Sequence, residues 1–295
     1  MTPSVLLAPL VRGTSALVYS DLGVLGGALG AFVGGALRVR RAHVEGAMAR
    51  AGVAEPTRTA AGMYGSLGTS ALELLWLAGE RRDLRSLVRV DPDAEATLAH
   101  ARATGRGVVL AASHTGNWDL AACAIASSSR LAPPEHGMSL MVVTKHLSMG
   151  WLDAFWQRTR ARYGVELVSA RGAFARGRDH VRAGGAVAMM IDQVPARRAH
   201  ACQVAFLGQT AWVDKAPATL AARTGALLVV PCARRDSYGV QQLGVMDVIE
   251  PPASATNAWI ADATTRATGA LERFVLENPT EWLWMHRRWA TPKAA

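Results

Sequence analysis

Sulphur chemistry is scarce in this chain. Three cysteines, Cys123, Cys202 and Cys232, are spread over 295 residues. They are odd in number, widely spaced and form no CxxC pair, so neither a disulfide framework nor a zinc site is implied and a reducing compartment fits. No HExxH motif occurs, and His100, His136 and His146 show no metal-ligand spacing. No GxSxG elbow is present, which argues against a serine-nucleophile hydrolase. Internal repeats and long low-complexity segments are also missing. Nothing resembles an RNP pattern, a basic reading helix or a zinc finger, so the charge does not point to nucleic acid. A secretory signal with a basic start, short apolar core and cleavage site is not expected.

Apolar residues and arginine dominate. Half the residues are hydrophobic, the formal charge is +9, and Arg far outnumbers Lys. A chain this long builds a full core and has apolar surface left over. A basic balance suits an anionic partner such as a membrane surface, an acidic carrier protein or a phosphorylated substrate; biased base composition in the gene gives the same arginine excess.

Ala16 to Leu37 approaches the length of a membrane span, which is roughly 20 residues. Asp21 is costly in lipid and six glycines weaken the helix. Gly26, Gly30 and Gly34 form two overlapping GxxxG steps that permit close helix packing. Arg38, Arg40 and Arg41 follow at once. This order predicts an interfacial or membrane-dipping segment at the cytoplasmic face of an anionic bilayer, with a buried core helix or a true span as the alternatives.

The pattern divides the chain into a helical region over 1–85 and an α/β domain over 86–295. In the first, 40–52 and 56–80 carry helical spacing, and Leu72, Leu74, Leu75 and Leu77 suit either a core or a lipid face. Residues 84–90 read as a connector. Beyond them, short apolar runs at 107–112, 139–143, 165–168, 186–191 and 226–233 predict strands. Helices are expected between them over 117–126, 150–162, 173–183 and 213–224. A strand over 242–249 at a mixed edge and a last helix over 259–277 complete the chain. This alternation predicts an α/β fold: a mostly parallel mixed sheet flanked by helices, with a helical, membrane-associating N-terminal region. Ligand sites in such folds lie at the carboxyl ends of strands. His114 and Asp192 both fall just past such an end, which suggests a common site.

Residues 113–119, SHTGNWD, are the densest chemical signal. If His114 occupies the turn before a helix, Gly116 supplies a permissive backbone and Asn117 a cap. Asp119 in the first helical turn then accepts a hydrogen bond from His114 Nδ1–H, leaving Nε2 as a general base. The alternative is a polar strand-to-helix turn with Asp119 serving the helix dipole.

This stretch resembles the histidine, four residues, acidic residue motif of glycerolipid and lipid A acyltransferases. Three further stretches resemble later blocks of the same family in order. They are residues 142–168 with the Arg160-x-Arg162 pair, residues 182–231 with Asp192-Gln193 after a strand, and residues 278–289 (NPTEWLWMHRRW). The likeness spans roughly residues 35–290. Together the four resemble the bacterial lauroyl/myristoyl lipid A acyltransferases, within the lysophospholipid and glycerolipid acyltransferase superfamily.

The resemblance implies acyl transfer from acyl carrier protein or coenzyme A to a hydroxyl of a membrane glycolipid, with no cofactor or metal. Such an enzyme works at the cytoplasmic face of the inner membrane, peripheral or monotopic. His114, Asp119, Arg162 and Asp192 match the family's catalytic positions. Asn117, Lys145, Arg160, Gln193, Arg287 and Arg288 are the accompanying candidates for substrate binding. Each also has a plainer reading: Arg162 as a surface arginine, Asp192 as a partner of Arg197 or Arg198, Arg287 and Arg288 as a solvated basic tail. Asp119 stands where lipid A enzymes usually carry Glu, which keeps phosphatidylinositol mannoside or glycerolipid acceptors open. Acyl-thioester hydrolysis, with water as acceptor, is a further alternative. Acyl chain length and oligomeric state are not legible.

Overall fold

The structure is a computed structural model that describes residues 3–131, 138–145 and 147–292. His136 and His146, considered above as metal ligands, lie outside the described residues.

Four helices come first: α1 (Pro3–Ser15), α2 (Tyr19–Ala31), α3 (Arg41–Arg50) and α4 (Pro56–Gly79), with one π-turn over Phe32–Ala36 after α2. Then follow β1 (Val88–Val90), α5 (Pro92–Ala103), β2 (Val108–Ala112), α6 (Trp118–Leu131), β3 (Leu140–Thr144), α7 (Gly150–Arg162) and β4 (Glu166–Ser169). After them come α8 (Ala173–Arg182), β5 (Ala186–Met190), β6 (Ala201–Phe206), β7 (Gln209–Asp214), α9 (Ala216–Thr224), β8 (Leu227–Arg235), β9 (Gln241–Ile249) and α10 (Asn257–Glu277).

Seven strands form one sheet in the order β1-β9-β8-β2-β5-β3-β4. Every neighbouring pair is parallel except β8–β9. All five residues of β2 are buried, as a central parallel strand covered on both faces requires. Alternate strand residues feed two cores. Val109, Ala111, Val187 and Met189 pack with α8, α9 and α10 on one face. Leu110, Ala112, Ala186 and Ala188 pack toward α5 and α6 on the other.

Two expectations change here. Residues 84–90 contain a strand, β1, which makes β9 interior and not an edge. The helix expected from residue 213 begins at Ala216. The segment before it pairs in the antiparallel β6–β7 hairpin, closed by Leu207 and Gly208 at positive φ. The Asp214 carboxylate accepts the Ala216 N–H at 2.9 Å and starts the helix late.

The N-terminal helices belong to the same cores. Met63 and Tyr64 of α4 enter one, and Trp76 and Leu77 the other. Leu74 and Leu77 therefore face protein. The GxxxG face of α2 lies on α4: a Cβ on Gly26 would meet Thr69 backbone, and one on Gly30 would meet Tyr64 O at 2.1 Å. The opposite side exposes Val24, Leu25 and Phe32. No single helix among the described residues is long and apolar enough to cross a membrane; α2 with its π-turn and α3 pass the test only together, bent by 92°.

Because Gly30 has no room and Gly27 has nothing within 4 Å, the two should respond oppositely to alanine. Gly30→Ala is expected to cost about 1–3 kcal/mol in urea unfolding through overpacking. Gly27→Ala should be neutral or stabilise by up to ~1 kcal/mol through helix propensity.

Candidate active site

His114 follows β2 by two residues, and Asp192 follows β5 by two. The parallel register pairs Ala112 with Met190, so the two chains leave the sheet side by side. Ile191 N donates to Ala112 O at 2.8 Å and carries the alignment past the last ladder pair. His114 Nδ1 then lies 2.9 Å from Asp192 Oδ1, while His114 N donates to Oδ2 at 2.8 Å. Trp282 Nε1 donates to the same oxygen at 3.0 Å.

Asp192 is fully buried. Burial pushes its carboxyl pKa up, but the charge and hydrogen bonds of His114 more than reverse this and hold it below the usual carboxylate range. A buried carboxylate with several N–H donors is the arrangement that makes such a charge tolerable.

The imidazole partner expected above is therefore corrected. Asp119 does not hold His114. Its Oδ1 accepts from Arg160 Nε at 2.6 Å and its Oδ2 from Trp156 Nε1 at 2.8 Å, both on α7. The reason is helical phase. Asp119 sits in the first turn of α6, and its carboxylate faces the neighbouring helix while His114 faces the strand beside it.

Phase also separates the two arginines of α7. Positions two apart on a helix point about 200° from one another. Arg160 faces Asp119 and lines the cavity described below. Arg162 turns away and donates to Ala78 O and Gly79 O at 3.1 and 3.2 Å, capping the C-terminal end of α4. It is not at the site.

Each remaining residue of the turn is clamped. Thr115 Oγ1 accepts from Ala233 N at 3.2 Å, and Gly116 N donates to Glu281 O at 2.7 Å. Gly116 has φ +51, and a Cβ there would meet Ala233 O at 2.6 Å, so glycine is required on both counts. Asn117, expected to bind substrate, is buried and acts as a cap: its Oδ1 accepts from Asp119 N and Leu120 N. Trp118 stands edge-on to His114 at 4.9 Å.

The closing NPTEWLWMHRRW stretch contributes differently from expectation. Thr115 forms a β-bridge with Trp282, and Leu283 N donates to His114 O at 3.1 Å. Arg288 is 1% exposed, donates to Trp212 O at 2.6 Å and stacks over Phe206. Its role is to strap the C-terminus to the β6–β7 hairpin, not to bind a phosphate. Burial pulls its pKa down to about 10. Arg287 is exposed.

His286, absent from the candidates above, packs edge-on against His114 with ring centroids 4.7 Å apart. Its Nε2 is buried without a partner. Burial pulls its pKa down to about 4, so the ring is neutral at physiological pH. The sequence signal was the histidine within the quoted stretch, but only the fold shows that it meets His114.

A cavity of about 990 Å³ opens at His114, the upper end of the roughly 300–1,000 Å³ usual for ligand sites. One part lies between the sheet and α6, lined by Leu110, Ala112, Ala122, Ile125, Leu140 and Ala188, with Leu98 of α5 beyond. Polar lining comes from Lys145, Gln157, Arg160, Gln193 and Asp214. Gln193 Nε2 lies 3.4 Å from His114 Nε2, and Lys145 is exposed at the rim. His114, Asp192 and His286 also offer one ligand atom each within 4.8 Å of one another. Both Asp192 oxygens, however, already accept from N–H donors. The geometry is that of an imidazole held by one nitrogen, with the other facing a mostly apolar cavity.

Residues 49–291 match the family model for bacterial lipid A biosynthesis acyltransferases. The chain belongs to that family. It is accordingly an acyltransferase, as the resemblance implied, and the paired His114 and Asp192 both lie inside the match. No curated protein matches the chain.

The half-buried, neutral His286 gives the acyltransferase an acid-side liability. Its folded pKa of about 4 lies below the unfolded value of about 6.5. Between these pH values the unfolded chain binds the extra proton, so stability rises with pH across this window and falls as pH drops through it. Urea unfolding from pH 7 to 4 is expected to show this slope, and His286→Asn is expected to flatten it.

Proposed function

We propose that this acyltransferase moves a fatty acyl chain from a thioester, on acyl carrier protein or coenzyme A, to a hydroxyl of a lipid A precursor-like glycolipid. The single observation that carries the reading is His114 Nδ1 locked on buried Asp192 beside a mostly apolar cavity of about 990 Å³ that His114 lines. His114 Nε2 takes the proton of the acceptor hydroxyl as its oxygen attacks the thioester carbonyl carbon. The tetrahedral intermediate then expels the thiolate, which receives the same proton from His114. Gln193 is placed to donate to the oxygen of the reacting carbonyl. The cavity between the sheet and α6 suits the acyl chain. Lys145 at the rim and exposed Arg287 suit anionic groups of the carrier or acceptor.

The N-terminal face supports action at the cytoplasmic face of the inner membrane, as a peripheral or monotopic protein. Val24 is 77% exposed and Phe32 55%, on the side of α2 turned away from α4, and Arg38 and Arg40 are exposed beside them. Aspartate at position 119 keeps a phosphatidylinositol mannoside or glycerolipid acceptor as the second reading.

Mass spectrometry of membrane lipids with and without the protein tests the proposal. A lipid that gains one acyl chain names the acceptor and the chain, whereas thioester turnover at full rate without any lipid acceptor would mean hydrolysis. His114→Ala should lower kcat by about 10²–10⁴, measured on folded protein because the variant also loses a partner of buried Asp192. Asp192→Asn should also lower kcat, because the imidazole loses the carboxylate that fixes its orientation, whereas Asp119→Asn, which does not touch His114, should have a smaller effect. Ala122→Leu should fill the cavity beneath α6 and shift donor preference to shorter chains, read as kcat/KM across a thioester series.

A further inference from the structure

Glu73 is a carboxylate outside the cavity, 1% exposed, in the middle of α4. Four donors from three other elements converge on it. Arg235 at the end of β8 binds it through two nitrogens, at 2.6 and 2.8 Å. Tyr19, the first residue of α2, donates its hydroxyl to Oε1. Asn117 donates Nδ2 to Oε2 at 2.7 Å.

The last contact reaches the catalytic turn. An amide whose Nδ2 is fixed has its Oδ1 fixed too, and Asn117 Oδ1 is what caps α6 through Asp119 N and Leu120 N. Asn117 N donates in turn to Gln241 Oε1 at 3.2 Å. Three residues before Asn117 stands His114, and one after it stands Trp118, edge-on to that imidazole. The Glu73 site has no spare acceptor, since Arg235 Nε and Gln241 Nε2 are already buried without partners. A shift of α2 is therefore felt at Asn117 through a single carboxylate.

We propose that Glu73, with Tyr19, is a positioning residue for the His114 turn, coupling the seat of α2 to the orientation of the catalytic imidazole. This rests on His114 being the general base, but its test does not require acyl transfer. Tyr19→Phe is the decisive variant, because it removes one hydroxyl and leaves the Glu73–Arg235 ion pair whole. Glu73→Gln is the stronger perturbation and is used only if it folds. In the full chain, each histidine's modification by diethyl pyrocarbonate is followed by peptide mass spectrometry, beside circular dichroism and the thermal midpoint.

The expected result is a His114 modification rate changed by about threefold or more in Tyr19→Phe, the scale of one lost hydrogen bond. The other histidines should stay as in the wild type, and the thermal midpoint should fall by only a few degrees, as the loss of about 1–2 kcal/mol implies. Adding Tyr19→Phe to Asn117→Ala should change the His114 rate no further, since both act through one contact chain. A His114 rate equal to wild type in folded Tyr19→Phe, or full additivity with Asn117→Ala, overturns the proposal. Where transfer is measurable, kcat should fall with KM held. A wild-type protein that transfers no acyl chain refutes the proposed reaction and leaves the labelling result to decide this point by itself.

Discussion

The structure depends on a charge placed where water does not reach. Asp192 is ionised, fully buried and satisfied by His114 and Trp282. Removing one partner of such a pair typically costs about 3–5 kcal/mol, so the pairing constrains everything around it. Two parallel strands must end level, the C-terminal segment must fold back to bring Trp282, and the imidazole has one orientation left. The parallel register of β2 and β5 supplies the first of these without any contribution from the side chains themselves.

From that pair outward, the turn is held by elements drawn from the whole chain. Thr115 is bound by β8, Gly116 by the segment after α10, Asn117 by α4 and β9, and Asp119 by α7. The helical N-terminal region is thus one wall of the site's foundation as well as the side that exposes apolar surface. The general base proposed above acts efficiently only when its geometry is set beforehand, and the setting is distributed over contacts with no chemistry of their own.

Much of this was legible in the sequence because apolar periodicity is local. Each central strand was marked by a run such as GVVLAA, and the common placement of His114 and Asp192 after strands pointed to one site. The errors share a cause. Asp119 was favoured as the imidazole partner because it is near in sequence, whereas the true partner is brought close by sheet register, which no spacing reveals. Arg160 and Arg162 could not be told apart without knowing which face of α7 meets α6. Arg288 reads from the sequence as a candidate for substrate binding, and only the fold shows it buried under the β6–β7 hairpin. The three-residue β1 is too short to leave a periodic signal. The alternation in β6 and β7 was masked by the helix-forming residues that follow Asp214.

Two imidazoles side by side raise the question of which one takes the proton. Asp192 touches His114 directly, at 2.9 Å from Nδ1. His286 feels the same carboxylate only through space, while burial and the neighbouring His114, Arg40 and Lys145 all oppose its protonation. In a low-dielectric cavity two adjacent imidazolium ions would repel strongly. In the reaction proposed above the single proton goes to His114, and His286 stays a neutral wall. A proton taken by His114 would bring its pair with Asp192 from net negative to neutral. That change is easier to accommodate beside an apolar cavity than the appearance of a new charge. The proposed proton transfer is thus matched to the dry surroundings that a fatty chain needs.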